Sequence, residues 1–209
     1  MDESDKMNFI ILSNQRSGTK LLRSYLKNHP SLSIGSEIFL NKNENEKREI
    51  IEKHRPTNKT NGCIIQYNQL TPLVINYIRN RKVIQLIRTD LVRMYSLFEA
   101  HYKIVSERPF RVEIDISRAY QYAKSVLKNI KKYRNLAGLT VFFKDILPIN
   151  NILGVTARKR LLNFLEVKDL LLEPSTEIQH KFKLDKVAIN HKEAIKKFKP
   201  LKLEYNNIK

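Results

Sequence analysis

Three short runs of apolar residues constrain this chain more than any other feature: Phe9-Ile10-Ile11-Leu12, Val83-Ile84-Gln85-Leu86-Ile87 and Leu139 to Phe143. A strand with one wet face alternates polar and apolar residues, whereas a strand covered on both faces reads as a continuous apolar run, the pattern of a central parallel sheet. Helical spacing fills the intervals. Leu21, Leu22, Tyr25 and Leu26 share one helix face after Thr19, and Asn28-His29-Pro30 ends that helix, because the residue before a proline is pushed out of the α region. Further helices are expected over Thr71 to Arg79, from Leu91 through Phe98, over Ile116 to Tyr133 and over Thr156 to Leu165, with another strand at Gly62 to Tyr67. The polar stretch from Leu40 to Gly62 reads as one surface helix flanked by loops, and the aperiodic stretch from Tyr102 to Glu113, with Pro109 in it, as a mobile loop. Strands alternating with helices predict an α/β chain, a three-layer α/β/α sandwich around a central parallel sheet. The length of 209 residues fits one domain over 1–209, with residues 1–7 as a disordered N-terminus.

Composition narrows the setting. Cys63 is the one cysteine, inside the apolar Cys63-Ile64-Ile65, so no disulfide framework exists and a buried small residue in a strand is expected. The opening Met1-Asp2-Glu3-Ser4-Asp5-Lys6 is acidic where a secretory signal is basic, and no run of about 18 apolar residues occurs. A cytoplasmic chain is the expectation. Lys and Arg total 39 against 21 Asp and Glu, a positive surface that suits nucleic acid, an anionic membrane in peripheral contact, or a small polyanion. Charge alone does not choose among these, and compositional drift toward Lys and Asn is a competing explanation for the excess.

Chemistry concentrates after the first strand. In Gln15-Arg16-Ser17-Gly18-Thr19-Lys20-Leu21-Leu22, a turn leads into a helix whose first N–H groups have no intrahelical partner, which suits phosphate or sulfate. Gly18 permits close backbone approach, Arg16 and Lys20 carry charge, and Ser17 and Thr19 carry hydroxyls. The Walker spacing is missing, since Gly18 precedes Thr19 and the position five back is Ser13. An ordinary strand-to-helix turn with a capping hydroxyl is the plainer alternative. A second cluster begins at Arg88, directly after the Lys82 to Ile87 strand, with Ser96 eight positions on, about two helical turns. Parallel strands point their carboxyl ends into one crevice, so both clusters can reach one ligand. Arg88 paired with a surface carboxylate is the alternative there.

Together these motifs resemble those of the sulfotransferases that use 3′-phosphoadenosine 5′-phosphosulfate (PAPS). In that family a Lys/Arg-Ser-Gly-Thr core follows strand one, and an arginine at a strand end is followed eight residues later by a serine. Gln15 to Leu22 with His29-Pro30 matches the first pattern and Val83 to Ser96 the second. The chain is most similar to the bacterial carbohydrate branch, which modifies lipo-oligosaccharides and glycolipids, through Glu37 in Leu32-Ser33-Ile34-Gly35-Ser36-Glu37 and through Asn163-Phe164-Leu165-Glu166-Val167. Where that branch carries Tyr-Glu-Asp-Leu, this chain has Phe143-Lys144-Asp145-Ile146.

The resemblance implies a P-loop-NTPase-like sulfotransferase fold and transfer of a sulfuryl group from PAPS to a hydroxyl of a carbohydrate or glycolipid, leaving 3′,5′-adenosine bisphosphate (PAP), without metal. It implies that Arg16 and Lys20 neutralise the phosphosulfate, that Ser17, Gly18, Thr19 and Leu21 lend backbone donors, and that Arg88 and Ser96 hold the 3′-phosphate. Glu37 is the first candidate for the base. His101, five residues past Ser96, is the second, although five residues turn a helix face by about 140°. Lys181 and Lys183 are candidates for a late basic loop over the nucleotide, or else part of a solvated face. Competing readings are an ATP-dependent nucleotide kinase and a basic nucleic-acid-binding domain. For the latter no helix-turn-helix, zinc spacing or RNP-like strand is visible, and no nucleic-acid partner is expected.

Overall fold

The computed structural model describes residues 9–53, 60–91, 95, 113–148, 152–175 and 188–206. The expected disordered N-terminus at 1–7, nearly all of the expected loop from Tyr102 to Glu113 and most of the expected helix after Arg88 lie outside them; Leu91 and Tyr95 of that helix are described, and both are buried. The chain divides into two compact units, one of Met1–Asn14, Gly18–Ile87 and Arg134–Glu177, the other of Gln15–Ser17, Arg88–Tyr133 and Ile178–Lys209.

The first unit holds a five-stranded sheet: β1 (Phe9–Ser13), β2 (Leu32–Glu37), β3 (Thr60–Gln66), β4 (Lys82–Ile87) and β5 (Leu139–Phe142), all parallel, in the order β2-β3-β1-β4-β5. The first apolar run marks its centre as expected, with Phe9, Ile10, Ile11 and Leu12 wholly buried. Register follows side-chain packing: Phe9 pairs with Gly62, and a Cβ at position 62 would overlap the Phe9 ring. Flanking the sheet are α1 (Thr19–Lys27), α2 (Glu44–Lys53), α3 (Pro72–Ile78) and a helix at Val155–Phe164. Helix α1 buries Leu21, Leu22, Tyr25 and Leu26, the face read from the sequence. Helix α3 starts as its sequence dictates, with Pro72 in the first turn and Thr71 Oγ1 accepting from Val74 N.

After α1 the chain is locked by His29, which is 1% exposed. Ser31 N–H donates to its Nδ1 at 3.1 Å, so the ring proton sits on Nε2, which donates to the Lys168 carbonyl at 2.9 Å. Asn28 Nδ2 donates to the Glu173 carbonyl at 2.7 Å. These two bonds fix the α1 terminus against a stretch about 140 residues away in sequence.

Three sequence expectations change. Strand β2 was read only as a stretch carrying Glu37, and it is an edge strand with Ser33, Gly35 and Ser36 exposed. The run from Leu139 was read as a buried strand reaching Phe143; it ends at Phe142 on the other sheet edge, and of its residues only Val141 is buried. The lysine-rich C-terminal stretch contains a helix, His191–Asn206, that was not anticipated.

That helix belongs to the second unit. Numbering helices in chain order, Ile116–Lys132 is α4, Val155–Phe164 is α5 and His191–Asn206 is α6. Asp115 caps α4 by accepting from Arg118 N at 3.0 Å, and Lys131 and Lys132 complement the negative end of its dipole. Helices α4 and α6 start side by side, because Asn190 pairs with the Ile114 backbone as another strand would: Ile114 N donates to Oδ1 at 2.8 Å and Nδ2 donates to Ile114 O at 2.7 Å. Farther along, Tyr120 packs edge-on against Phe198, ring centres 5.9 Å apart.

Candidate functional site

Strand order locates a topological switch point. The chain leaving β1 crosses to β2 on one side, and the chain leaving β4 returns to the sheet at β5 on the other, so the connections diverge between the carboxyl ends of these adjacent strands. Open α/β sheets bind ligands at such a point. The turn carrying Arg16 follows β1, and Arg88 directly follows β4.

In the second unit these two residues meet. Arg88, 7% exposed, donates from Nη1 to the Arg16 carbonyl at 3.1 Å. Arg16 takes up a left-handed backbone conformation with φ 59°, uncommon for a residue with a side chain, and Ser17 is buried. The guanidinium therefore braces the turn at Arg16.

In the first unit, Gly18 caps α1 at φ 98°, and a Cβ there would overlap the Phe143 ring. Two constraints thus select glycine: the left-handed conformation and the aromatic side chain seated on it. No side chain caps this helix, so the leading N–H groups of Thr19 and Lys20 have no partner among the described residues. Leu21 differs: its N–H donates to Gly18 O at 3.1 Å, closing the first turn, so as a donor to a ligand it would have to share that proton. Lys20 is exposed, with its ammonium at the positive end of the helix.

Glu37 ends β2 and is partly exposed. A β-bulge lies between Ile34, which pairs with Gly62, and Glu37, which pairs with Ile64. Without the extra residue, Ser36 would pair with Ile64 and Glu37 would project from the opposite face of the sheet. The bulge puts the carboxylate on the face of Ile64, Ile11 and Ser13, with β3 between it and β1, about 10 Å away across two strand spacings.

Of the residues singled out in the sequence, Arg16 and Arg88 touch, Ser17, Gly18, Thr19, Lys20 and Leu21 form the turn and helix start, and Glu37 shares the carboxyl edge of the sheet. Ser96, His101, Lys181 and Lys183 lie outside the described residues. Two features were missed. Phe143 is 125 positions from Gly18, and its only sequence signal was the departure from Tyr-Glu-Asp-Leu. The bulge left none beyond the Gly35-Ser36 pair. Among the described residues no group of three His, Cys, Asp or Glu side chains is placed to hold a metal ion, and no helix is long and apolar enough to cross a membrane.

No protein-family model matches this sequence, and no curated protein matches it. Solved structures do match its fold. A sulfotransferase from Alicyclobacillus acidocaldarius superposes with a TM-score of 0.59 at 14% identity, over 95% of this chain and 94% of that one. The mouse sulfotransferase SULT7A1, solved in complex with PAP, superposes with a TM-score of 0.54 at 16% identity, over 78% of this chain. The match spans 59% of the mouse protein's length. The chain therefore has the α/β fold of the sulfotransferases, a central parallel five-stranded sheet with flanking helices.

Proposed function

We propose that the chain is a sulfotransferase that moves a sulfuryl group from PAPS to a hydroxyl of a carbohydrate or glycolipid, working in the cytoplasm as a single catalytic domain. The observation that carries this reading is the Arg88 to Arg16 hydrogen bond, which joins the two sequence motifs at the ends of adjacent parallel strands. The donor set fits an adenosine nucleotide with phosphates at both ends: helix-start N–H groups and Lys20 for the phosphosulfate, and a bracing arginine that is the candidate holder of the 3′-phosphate.

In the proposed reaction the acceptor oxygen attacks sulfur, the bond from sulfur to the phosphate oxygen breaks, and PAP departs with that electron pair. The acceptor proton passes to a Glu37 carboxylate oxygen. Arg16, Lys20 and the turn amides stabilise the charge that develops on the leaving phosphate. Ser96 is assigned to the 3′-phosphate, Lys181 and Lys183 to the nucleotide, and His101 stands second to Glu37 as the base; these assignments rest on the family resemblance.

A thermal-shift comparison tests the reading. PAP in the presence of a chelator should raise the melting temperature by several degrees at a hundredfold excess over its dissociation constant. A larger shift with ATP and magnesium would favour a nucleotide kinase, and no shift with either would defeat both.

A further inference from the structure

The second unit carries a surface that the proposed chemistry does not use. Helix α4 contains no acidic residue, and Arg118, Lys124, Lys128, Lys131 and Lys132 are all exposed on it. Helix α6 buries Ala194, Phe198 and Leu201, spaced i, i+4, i+7. Its opposite stripe is Lys192, Lys196 and Lys199, exposed at the same spacing, with Ile195 beside them at 51% exposure. Ile189, just ahead of the helix, is 54% exposed. Glu193, the acidic residue of α6 whose side chain is described, stands between the stripe and Lys197, about 60° from Lys196, and offsets one of these charges. Where the two helices meet, Tyr120 lies between Lys124 and Lys197, whose ammonium groups are 5.3 and 5.7 Å from its ring centre.

We infer that the outer face of α6, with the adjoining lysines of α4, is a docking surface for an anionic lipid bilayer. Charge complementarity names an anion, and three details favour lipid over nucleic acid. The cations are nearly all lysines, which suit a diffuse layer of headgroups, whereas a fixed phosphodiester geometry favours the fork of arginine. Ile195 borders the lysine stripe, where it gains nothing from a phosphate backbone but can enter the boundary between headgroups and acyl chains. Lysine stems can lie along that boundary while their ammonium groups stay at the headgroups. The inference does not depend on the sulfotransferase reading, because binding to a bilayer requires neither donor nor acceptor.

The experiment is co-sedimentation of the full chain with vesicles of phosphatidylcholine containing about one-third phosphatidylserine, against phosphatidylcholine alone. Binding to the anionic vesicles only is expected. Each lysine near such a surface contributes roughly fivefold in affinity, so K192Q/K196Q/K199Q should weaken binding by about a hundredfold. A control carrying K27Q/K159Q/K168Q, with the same charge removed elsewhere, should lose less than about tenfold. Ile195→Ser should weaken vesicle binding severalfold while leaving any binding to a DNA oligonucleotide unchanged. Circular dichroism melting checks that every variant is folded, and Ile195→Ser, an exposed site, serves if the triple variant is not. Equal binding to both vesicle types, an equal loss in the control triple, or displacement of the vesicles by the oligonucleotide would overturn the inference.

Discussion

Arg88 donates its Nη1 proton to the carbonyl of Arg16 across 72 residues of sequence, and Arg16 holds a left-handed backbone conformation. A residue with a Cβ costs on the order of 1 kcal/mol in that conformation, which glycine adopts freely. Stability alone would favour glycine at position 16, so the arginine is explained by what its side chain does. Arg16→Gly should melt at a higher temperature than Arg16→Ala, by roughly 4–8 °C per kcal/mol for a small domain and less for a larger one. Both variants should lose affinity for PAP. If Arg16→Gly bound PAP as tightly as the native chain, Arg16 would have no part in the site.

Gly18 should tolerate no side chain. Its φ of 98° is unfavourable for any other residue, and a Cβ would enter the Phe143 ring. Gly18→Ala is expected to cost about 2–4 kcal/mol, combining backbone strain with overpacking. Adding Phe143→Ala should not restore the native melting point, because the backbone strain persists and a cavity is added. Urea titration of the single and double variants measures this, and full recovery in the double variant would show that sterics alone select glycine.

Alkaline pH should destabilise the fold. Burial pushes the Cys63 thiol up to about 12 and the Tyr25 hydroxyl up to about 12, and it also raises Tyr67 and Tyr77. An unfolded thiol ionises near pH 8.5 to 9 while the folded one keeps its proton, so above that pH the native state binds more protons and stability falls as pH rises. The loss should begin near pH 9 and continue toward pH 12, and Cys63→Ala should remove the part that sets in earliest. Chemical melts between pH 8 and 11 test this, and a flat profile would contradict the burial of these groups.

Glu37→Gln should lower turnover by about 10²–10⁴-fold, the range for a lost general base, and leave the PAP dissociation constant within about twofold. Deleting Ser36 should close the bulge yet leave Glu37 opposite Ile64 on the same sheet face, so turnover should fall far less than in Glu37→Gln. Transfer of the radiolabelled sulfuryl group from PAPS to a hydroxyl-bearing carbohydrate acceptor is the readout. Undiminished transfer by Glu37→Gln would reassign the base.

Much of this was legible in the sequence, for identifiable reasons. Strands β1 and β4 are buried on both faces, so their apolar runs could be read directly, and the residues following them became site candidates through their position, their residue types and the motifs they resemble. Strand β2 escaped because an edge strand needs few apolar residues, and Leu32 and Ile34 are its only buried positions. Helix α6 escaped because its lysines and Pro200 mask a three-residue core stripe of Ala194, Phe198 and Leu201. At the site, Arg88 could be placed beside Arg16 because parallel strands share their carboxyl edge. The packing of Phe143 on Gly18 is a long-range contact with no local pattern, and the orientation of Glu37 depends on a bulge that only the strand register reveals.

The most direct test is calorimetric titration of PAP, with chelator present, into the native chain and into Arg88→Ala. Tight binding by the native chain is expected, weakened at least tenfold by the substitution, with adenosine 5′-phosphate weakened less because it lacks the 3′-phosphate that Arg88 is proposed to hold and feels only the loss of its brace on the Arg16 turn. Native binding no tighter for PAP than for adenosine 5′-phosphate, or an Arg88→Ala variant that still separates the two, would contradict the account.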